Sequence, residues 1–84
     1  DVREPFETEI SKLPFETKLI PLGELANRVH ELSSADDLVV YCRSGIRSAQ
    51  ATQFLRSIGF RKVRNLTGGI NGYAQEVDES IPVY

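Results

Sequence analysis

The apolar positions of the chain change their period at one place. Leu38 to Tyr41 is a continuous apolar, β-branched-rich run, the pattern of a strand covered on both faces. Beyond Ser48 the spacing becomes i, i+3, i+4, i+7: Ala51, Phe54, Leu55 and Ile58 form one stripe of an amphipathic helix, which Gly59 ends as a C′ residue. Strand and helix are joined by the short basic segment Cys42-Arg43-Ser44-Gly45-Ile46-Arg47-Ser48.

The remaining pattern supplies partners for this unit. Asp1 to Pro5 reads as the tail of a strand, because Pro5 forces Glu4 out of helical angles. The start of that strand would precede Asp1, so the domain is expected to be truncated at its N-terminal side. Phe6 to Thr17 is mixed and interrupted by Pro14, which predicts a loop with one short turn. Lys18 to Leu22 predicts an edge strand, since Pro21 cannot donate to a ladder. Leu25, Val29 and Leu32 predict a helix over 24–32 with Gly23 as its cap, followed by a polar connector to Asp37. Arg61 to Leu66 predicts another strand, with Val63 and Leu66 inward. A Thr67-Gly68-Gly69 turn then leads into a last helix over 70–77 with Ile70, Tyr73, Ala74 and Val77 on one side, and Asp78 to Tyr84 is a tail. Strands alternating with helices predict a single α/β domain over 1–84: a small parallel β-sheet with helices on both faces. Ligands of such folds gather beyond the carboxyl ends of the strands, where Cys42 lies.

Composition narrows the function. The 84 residues are 40% hydrophobic and 26% charged, an ordinary globular balance. A net charge of -2 argues against general nucleic-acid affinity. No run is long enough to span a bilayer, so no membrane partner is expected. Arg56, Arg61, Lys62 and Arg64 read as solvated charges, and His30 as a surface residue on the polar side of its helix. One cysteine excludes an internal disulfide, and with a single histidine beside it no metal site is expected. A reducing, cytoplasmic setting fits best.

A lone cysteine after a strand can be a small buried hydrophobe. In a strand-loop-helix junction, however, the loop amides and the first helical amides converge on one spot with the helix dipole behind it. These amides, with Arg43 and Arg47, are expected to favour the thiolate of Cys42, the nucleophilic form. Gly45 permits a positive φ or the close approach of a bound group. Candidate site residues are therefore Cys42 as nucleophile and Arg43, Ser44, Gly45, Ile46, Arg47 and Ser48 as the loop that holds an anion. Ser44 and Ser48 either donate to the bound group or satisfy the loop, and helix capping is the expected role of Ser48.

Along nearly its whole length the chain resembles a rhodanese-type sulfurtransferase domain. The resemblance rests on Asp1-Val2-Arg3-Glu4-Pro5, Leu19-Ile20-Pro21-Leu22, Val39 to Ala49, Gly59 to Val63 and Asn65-Leu66-Thr67-Gly68-Gly69-Ile70, in that order and spacing. It implies that Cys42 accepts a sulfane sulfur, becomes a persulfide and passes the sulfur to a nucleophile, with no cofactor beyond that covalent intermediate. It implies thiosulfate or the persulfide of a cysteine desulfurase as donor. The ending Glu76 to Tyr84 is similar to that of rhodanese domains fused behind an adenylating enzyme of the ubiquitin-activating type, in molybdenum cofactor and related pathways. That implies the adenylated C-terminus of a ubiquitin-like sulfur carrier as acceptor. Two features depart from the family: Ser11 to Thr17 lacks the His-Ile-Pro-Gly-Ala-like stretch, and Tyr73 stands where a tryptophan is common. The family's first strand and helix would precede Asp1, and a sheet without them is expected to be weaker.

Two other readings share these residues. Cysteine phosphatases use the same strand, anion loop and helix but place five residues between cysteine and arginine, whereas four separate Cys42 from Arg47 and position 48 is serine. A non-catalytic interaction module would keep the fold, although such relatives usually lose the cysteine.

Overall fold

The computed structural model describes all 84 residues. Strands β1 (Leu38–Val40) and β2 (Val63–Asn65) pair in parallel, Leu38 opposite Val63 and Val40 opposite Asn65. Helix α3 (Ile46–Ser57) makes the crossover between them. The other helices are α1 (Glu7–Ile10), α2 (Leu25–Arg28) and α4 (Gly69–Glu76). This is the expected α/β architecture, with the regular sheet shorter than the pattern implied.

The expected outer strands are extended segments rather than ladders. Val2 N–H donates to the Tyr41 carbonyl at 3.0 Å, Ile20 N–H to Asp1 at 2.9 Å and Leu22 N–H to Val2 at 3.0 Å. Asp1 to Arg3 thus lies between Tyr41 and the segment at 20–22, but neither continues as a regular strand. An apolar cleft of about 400 Å³, lined by Asp1, Val2, Ile20, Leu38, Val39 and Tyr41 among others, opens beside them. Val39 is consequently exposed.

Alternation along the central strand feeds two cores. Val40 and Cys42 face Ala51 and Leu55 of α3, with Val2, Ile20, Leu25, Phe60 and Val63. Tyr41 faces the other way, against Ile70 and Ala74 of α4, with Leu13 and Ile81. Side chains such as Leu55 and Ile70, at or below 1% exposure, each stabilise the fold by about 1.5–3 kcal/mol.

Helix α3 is delimited as the sequence predicts at one end only. Gly59, at φ 106°, forms a Schellman ending: its N–H reaches the Arg56 carbonyl at 3.3 Å and Phe60 N–H reaches Leu55 at 3.0 Å. Phe60 and Leu55 share the core, which supplies the accompanying apolar contact, and Ile58 is left exposed rather than completing the stripe. At the other end the helix begins at Ile46, before Ser48, with Gly45 in the N-cap position.

The predicted helix over 24–32 is broken into a 3-10 turn at Leu22–Glu24, the single turn α2 and a second 3-10 turn at Val29–Glu31. Gly23 lies inside the first of these and Pro21 precedes it, so Gly23 is not the cap. Four apolar anchors in so short a segment bend it onto α3 and the sheet, and tertiary packing overrides helical continuity. In α4, Ile70 and Ala74 are buried as expected, but Val77 is exposed at the C-cap. The tail is not loose: Asn71 donates from Nδ2 to the Tyr84 carbonyl and accepts from Tyr84 N–H, which folds residues 78–84 back across the domain.

Candidate active site: the Cys42 loop

Cys42 follows β1 directly and is 1% exposed. Its carbonyl and that of Arg43 are turned away from the sulfur by the start of α4: Ile70 N–H donates to the Cys42 carbonyl at 2.8 Å and Asn71 N–H to Arg43 at 3.1 Å. Two amides that a helix start leaves without intrahelical partners are satisfied in this way, and the loop carbonyls are fixed by the same bonds. A Cβ on Gly69 would overlap both carbonyl groups, so only glycine permits this approach.

With its carbonyls held outside, the loop presents N–H groups inward. Gly45 N–H lies 3.1 Å from Cys42 Sγ and Ser48 N–H 3.4 Å. Gly45 reaches this orientation at φ 105°, where a side chain would be strained and its Cβ would stand 3.3 Å from the Gly68 nitrogen. The Ser48 hydroxyl lies 3.3 Å from the sulfur and donates to Asn65 Oδ1 at 2.5 Å, while Asn65 Nδ2 donates to the Gly45 carbonyl at 3.2 Å. Asn65 at the end of β2 thereby braces both the hydroxyl and the glycine turn.

Burial pushes the Cys42 thiol up, but the Ser48 hydroxyl and the amides of Ser48, Gly45 and Ser44 outweigh it and bring the thiol below its ordinary range. The stabilising groups are therefore the amides of the expected loop together with a hydroxyl. Ser48 is not a helix cap: it is fully buried inside the first turn of α3, against the sulfur.

The arginines make no hydrogen bond to the sulfur, although the charges of Arg47 and Cys42 act on each other. Arg47 makes a two-pronged ion pair with Glu7 of α1, Nη1 to Oε2 at 2.6 Å and Nη2 to Oε1 at 2.8 Å. Glu7 is held in turn by the Tyr84 hydroxyl at 2.8 Å and by Glu4 N–H at 2.8 Å. Arg43 is exposed, with its guanidinium 4.8 Å from the centre of the Tyr84 ring. Ile46 is 73% exposed at the loop's outer edge. Neither arginine is thus among the groups bonded to the sulfur. Sequence reasoning missed Glu7, Asn65 and Tyr84, which act on the loop from 35, 23 and 42 residues away. No local spacing marks them. Arg56, Arg61, Lys62, Arg64 and His30 are exposed, as expected.

The model of the rhodanese-like domain matches residues 1–76. The chain belongs to the rhodanese-like domain family. Relatives of this rhodanese domain include the chloroplastic rhodanese-like/PpiC domain-containing protein 12 of Arabidopsis thaliana, 43% identical over 88 residues, covering 100% of the chain and 29% of that protein. A sulfurtransferase of Allochromatium vinosum is 39% identical over 75 residues, covering 89% of the chain and 69% of its own length. The adenylyltransferase and sulfurtransferase MOCS3 of Arabidopsis thaliana is 32% identical over 100 residues, covering 100% of the chain and 21% of that protein. Among solved structures, a rhodanese-related protein of Thermoplasma volcanium superposes with a TM-score of 0.83 at 33% identity, over 90% of this chain and 74% of that one. The chain therefore spans less than a third of the first and third of these relatives, and most of the sulfurtransferase. Family membership and the sulfurtransferase names among the relatives support sulfur transfer in general.

Proposed function

We propose that this rhodanese domain is a sulfurtransferase that carries sulfane sulfur as a persulfide on Cys42. The observation that carries the reading is the convergence of Gly45 N–H, Ser48 N–H and the Ser48 hydroxyl on one buried sulfur at the carboxyl end of a parallel strand. These donors favour the attacking thiolate and suit the terminal sulfur of a persulfide anion, which carries the same charge about one bond further out. The thiolate attacks the sulfane sulfur of the donor: the Sγ–S bond forms, the donor's S–S bond breaks, and its electron pair leaves with the donor remnant. In the second half-reaction an acceptor nucleophile takes the outer sulfur and the Cys42 thiolate returns.

The acceptor we propose is the activated C-terminus of a ubiquitin-like sulfur carrier. The similarity to an adenylyltransferase and sulfurtransferase across the whole chain supports it. A cysteine phosphatase is disfavoured by Arg47, whose guanidinium is engaged by Glu7 in a loop with one residue fewer than such enzymes use.

Mass spectrometry after incubation with a sulfane-sulfur donor tests the proposal. The expected result is the gain of one sulfur atom, lost again on adding a thiol acceptor and absent from Cys42→Ala. Labelling that persists in Cys42→Ala would place the sulfur elsewhere and sink the reading.

A further inference from the structure

The charge at the mouth of the Cys42 loop does not match what an arginine count over the loop suggests. Glu7 opposes Arg47 through both carboxylate oxygens, at 2.6 and 2.8 Å, and its side chain is only 6% exposed. Its oxygens also accept from Glu4 N–H and the Tyr84 hydroxyl, so the carboxylate is fixed from three directions. Arg43 is the one loop cation without a carboxylate partner, and it lies over the Tyr84 ring. Against the charges of Arg43 and Arg47 stand Glu7 and the Cys42 thiolate, which leaves the reacting mouth near neutral. Arg3, beyond Tyr84, is balanced by Asp1 at 2.9 Å and adds no net charge.

We propose that Glu7 is a specificity-determining residue, which tunes this site toward singly charged or neutral hydropersulfide donors and away from the thiosulfate dianion. The proposal rests on the sulfurtransferase reading above. Both donors present a terminal sulfane sulfur to the thiolate, and both transfers balance. A hydropersulfide and the Cys42 thiolate give the Cys42 persulfide and the donor thiolate: the Sγ–S bond forms, the donor's S–S bond breaks, and its electron pair leaves with the donor sulfur. Thiosulfate and the Cys42 thiolate give sulfite and the Cys42 persulfide anion. They differ in charge: thiosulfate brings two negative charges to the thiolate and must release them on sulfite, whereas a hydropersulfide brings and releases at most one. A mouth with two free guanidinium groups would compensate the dianion. With Arg47 held by Glu7, that compensation is halved, and charge repulsion falls on thiosulfate about twice as heavily.

The experiment compares kcat/KM for thiosulfate with kcat/KM for cysteine hydropersulfide, in the wild type, in Glu7→Gln, in Glu7→Gln/Arg47→Ala and in Glu24→Gln as an exposed control distant from the loop. Glu7→Gln keeps the side-chain length and an acceptor oxygen for the Tyr84 hydroxyl but releases the Arg47 charge. The expected result is a shift of the thiosulfate-to-hydropersulfide ratio toward thiosulfate of about tenfold in Glu7→Gln, its reversal in the double variant, and no shift in Glu24→Gln. A second measurement needs no variant: a near-neutral mouth gives a wild-type thiosulfate kcat/KM that barely changes with ionic strength, whereas a free cationic mouth gives a steep fall. A Glu7→Gln ratio within about twofold of the wild type, or a steep wild-type salt dependence, overturns the role of Glu7 and leaves the sulfurtransferase reading standing. Failure of every donor to load Cys42 overturns both.

Discussion

The Ser48 hydroxyl stands 3.3 Å from the Cys42 sulfur, and its other partner is Asn65 Oδ1 at 2.5 Å. In the thiol state the sulfur can donate to Ser48 while Ser48 donates to Asn65; in the thiolate state the hydroxyl proton can turn to the sulfur. Ser48→Ala removes this option and leaves only amides. The thiol of the variant should move upward, and alkylation of Cys42 at neutral pH should slow on the order of tenfold. The pH dependence of iodoacetamide labelling reads this directly. In the wild type the rate should fall only below the range of an ordinary thiol, and in the variant at higher pH. Coincident profiles would show that the amides alone set the ionisation.

Glu7 makes a contribution to stability that depends on pH. Its Arg47 partner, against the opposing cost of burial and with help from Glu4 N–H and the Tyr84 hydroxyl, brings its carboxyl from 4.5 down to about 2. A carboxyl depressed on folding stabilises the native state fully above its unfolded value and loses that contribution as pH falls through its folded value. The urea midpoint should therefore decline between pH 4.5 and about 2 more steeply in the wild type than in Glu7→Gln. Parallel declines in the two proteins would mean that the ion pair does not persist in solution.

What could be read from the sequence was what short-range geometry controls. The change of period at Cys42, the Schellman glycine Gly59, and the turn into α4 each depend on residues within a few positions, and the structure has them in place. Ser48 does not take the capping role expected of it, because a serine near a helix start has two uses. Only the start of α3 at Ile46, set by the positive φ of Gly45, decides between them. From the sequence Arg47 reads as an unpaired loop charge, because its partner Glu7 lies in a separate one-turn helix that carries no periodic signal. The segment over 24–32 failed differently: its apolar spacing is helical, but the contacts it must make are too close together for a straight helix.

Gly69 offers a test of the loop's outer brace. Its φ of 64° and the overlap a Cβ would make with the Cys42 and Arg43 carbonyls leave no room for alanine. Gly69→Ala must push α4 away and break the Ile70-to-Cys42 and Asn71-to-Arg43 bonds, which frees the loop carbonyls to rotate inward. Left-handed backbone strain costs about 1–2 kcal/mol, and the steric clash adds to it. The variant should melt well below the wild type and, where still folded, load sulfur poorly. Gly23→Ala is the matched control, because a Cβ there meets nothing within 4 Å.

Tyr84 ties the tail to both ends of the site. Its hydroxyl accepts from Arg3 Nη1 at 3.0 Å and donates to Glu7 Oε1 at 2.8 Å, and its ring lies under Arg43 and near Arg3. Tyr84→Phe keeps the ring and removes both bonds. Arg3 is fully buried but retains Asp1 and the Glu7 carbonyl, so it is not left as an unpaired charge. The loss should therefore be about 1 kcal/mol, a fall of roughly 4–8 °C in Tm for a domain of this size. Tyr84→Ala should cost more, since the two guanidinium stacks go with the ring. Both values follow from thermal melts by circular dichroism. If Tyr84→Ala melts with the wild type, the tail contributes no stability in solution and the hold on Glu7 comes from Arg47 and Glu4 alone.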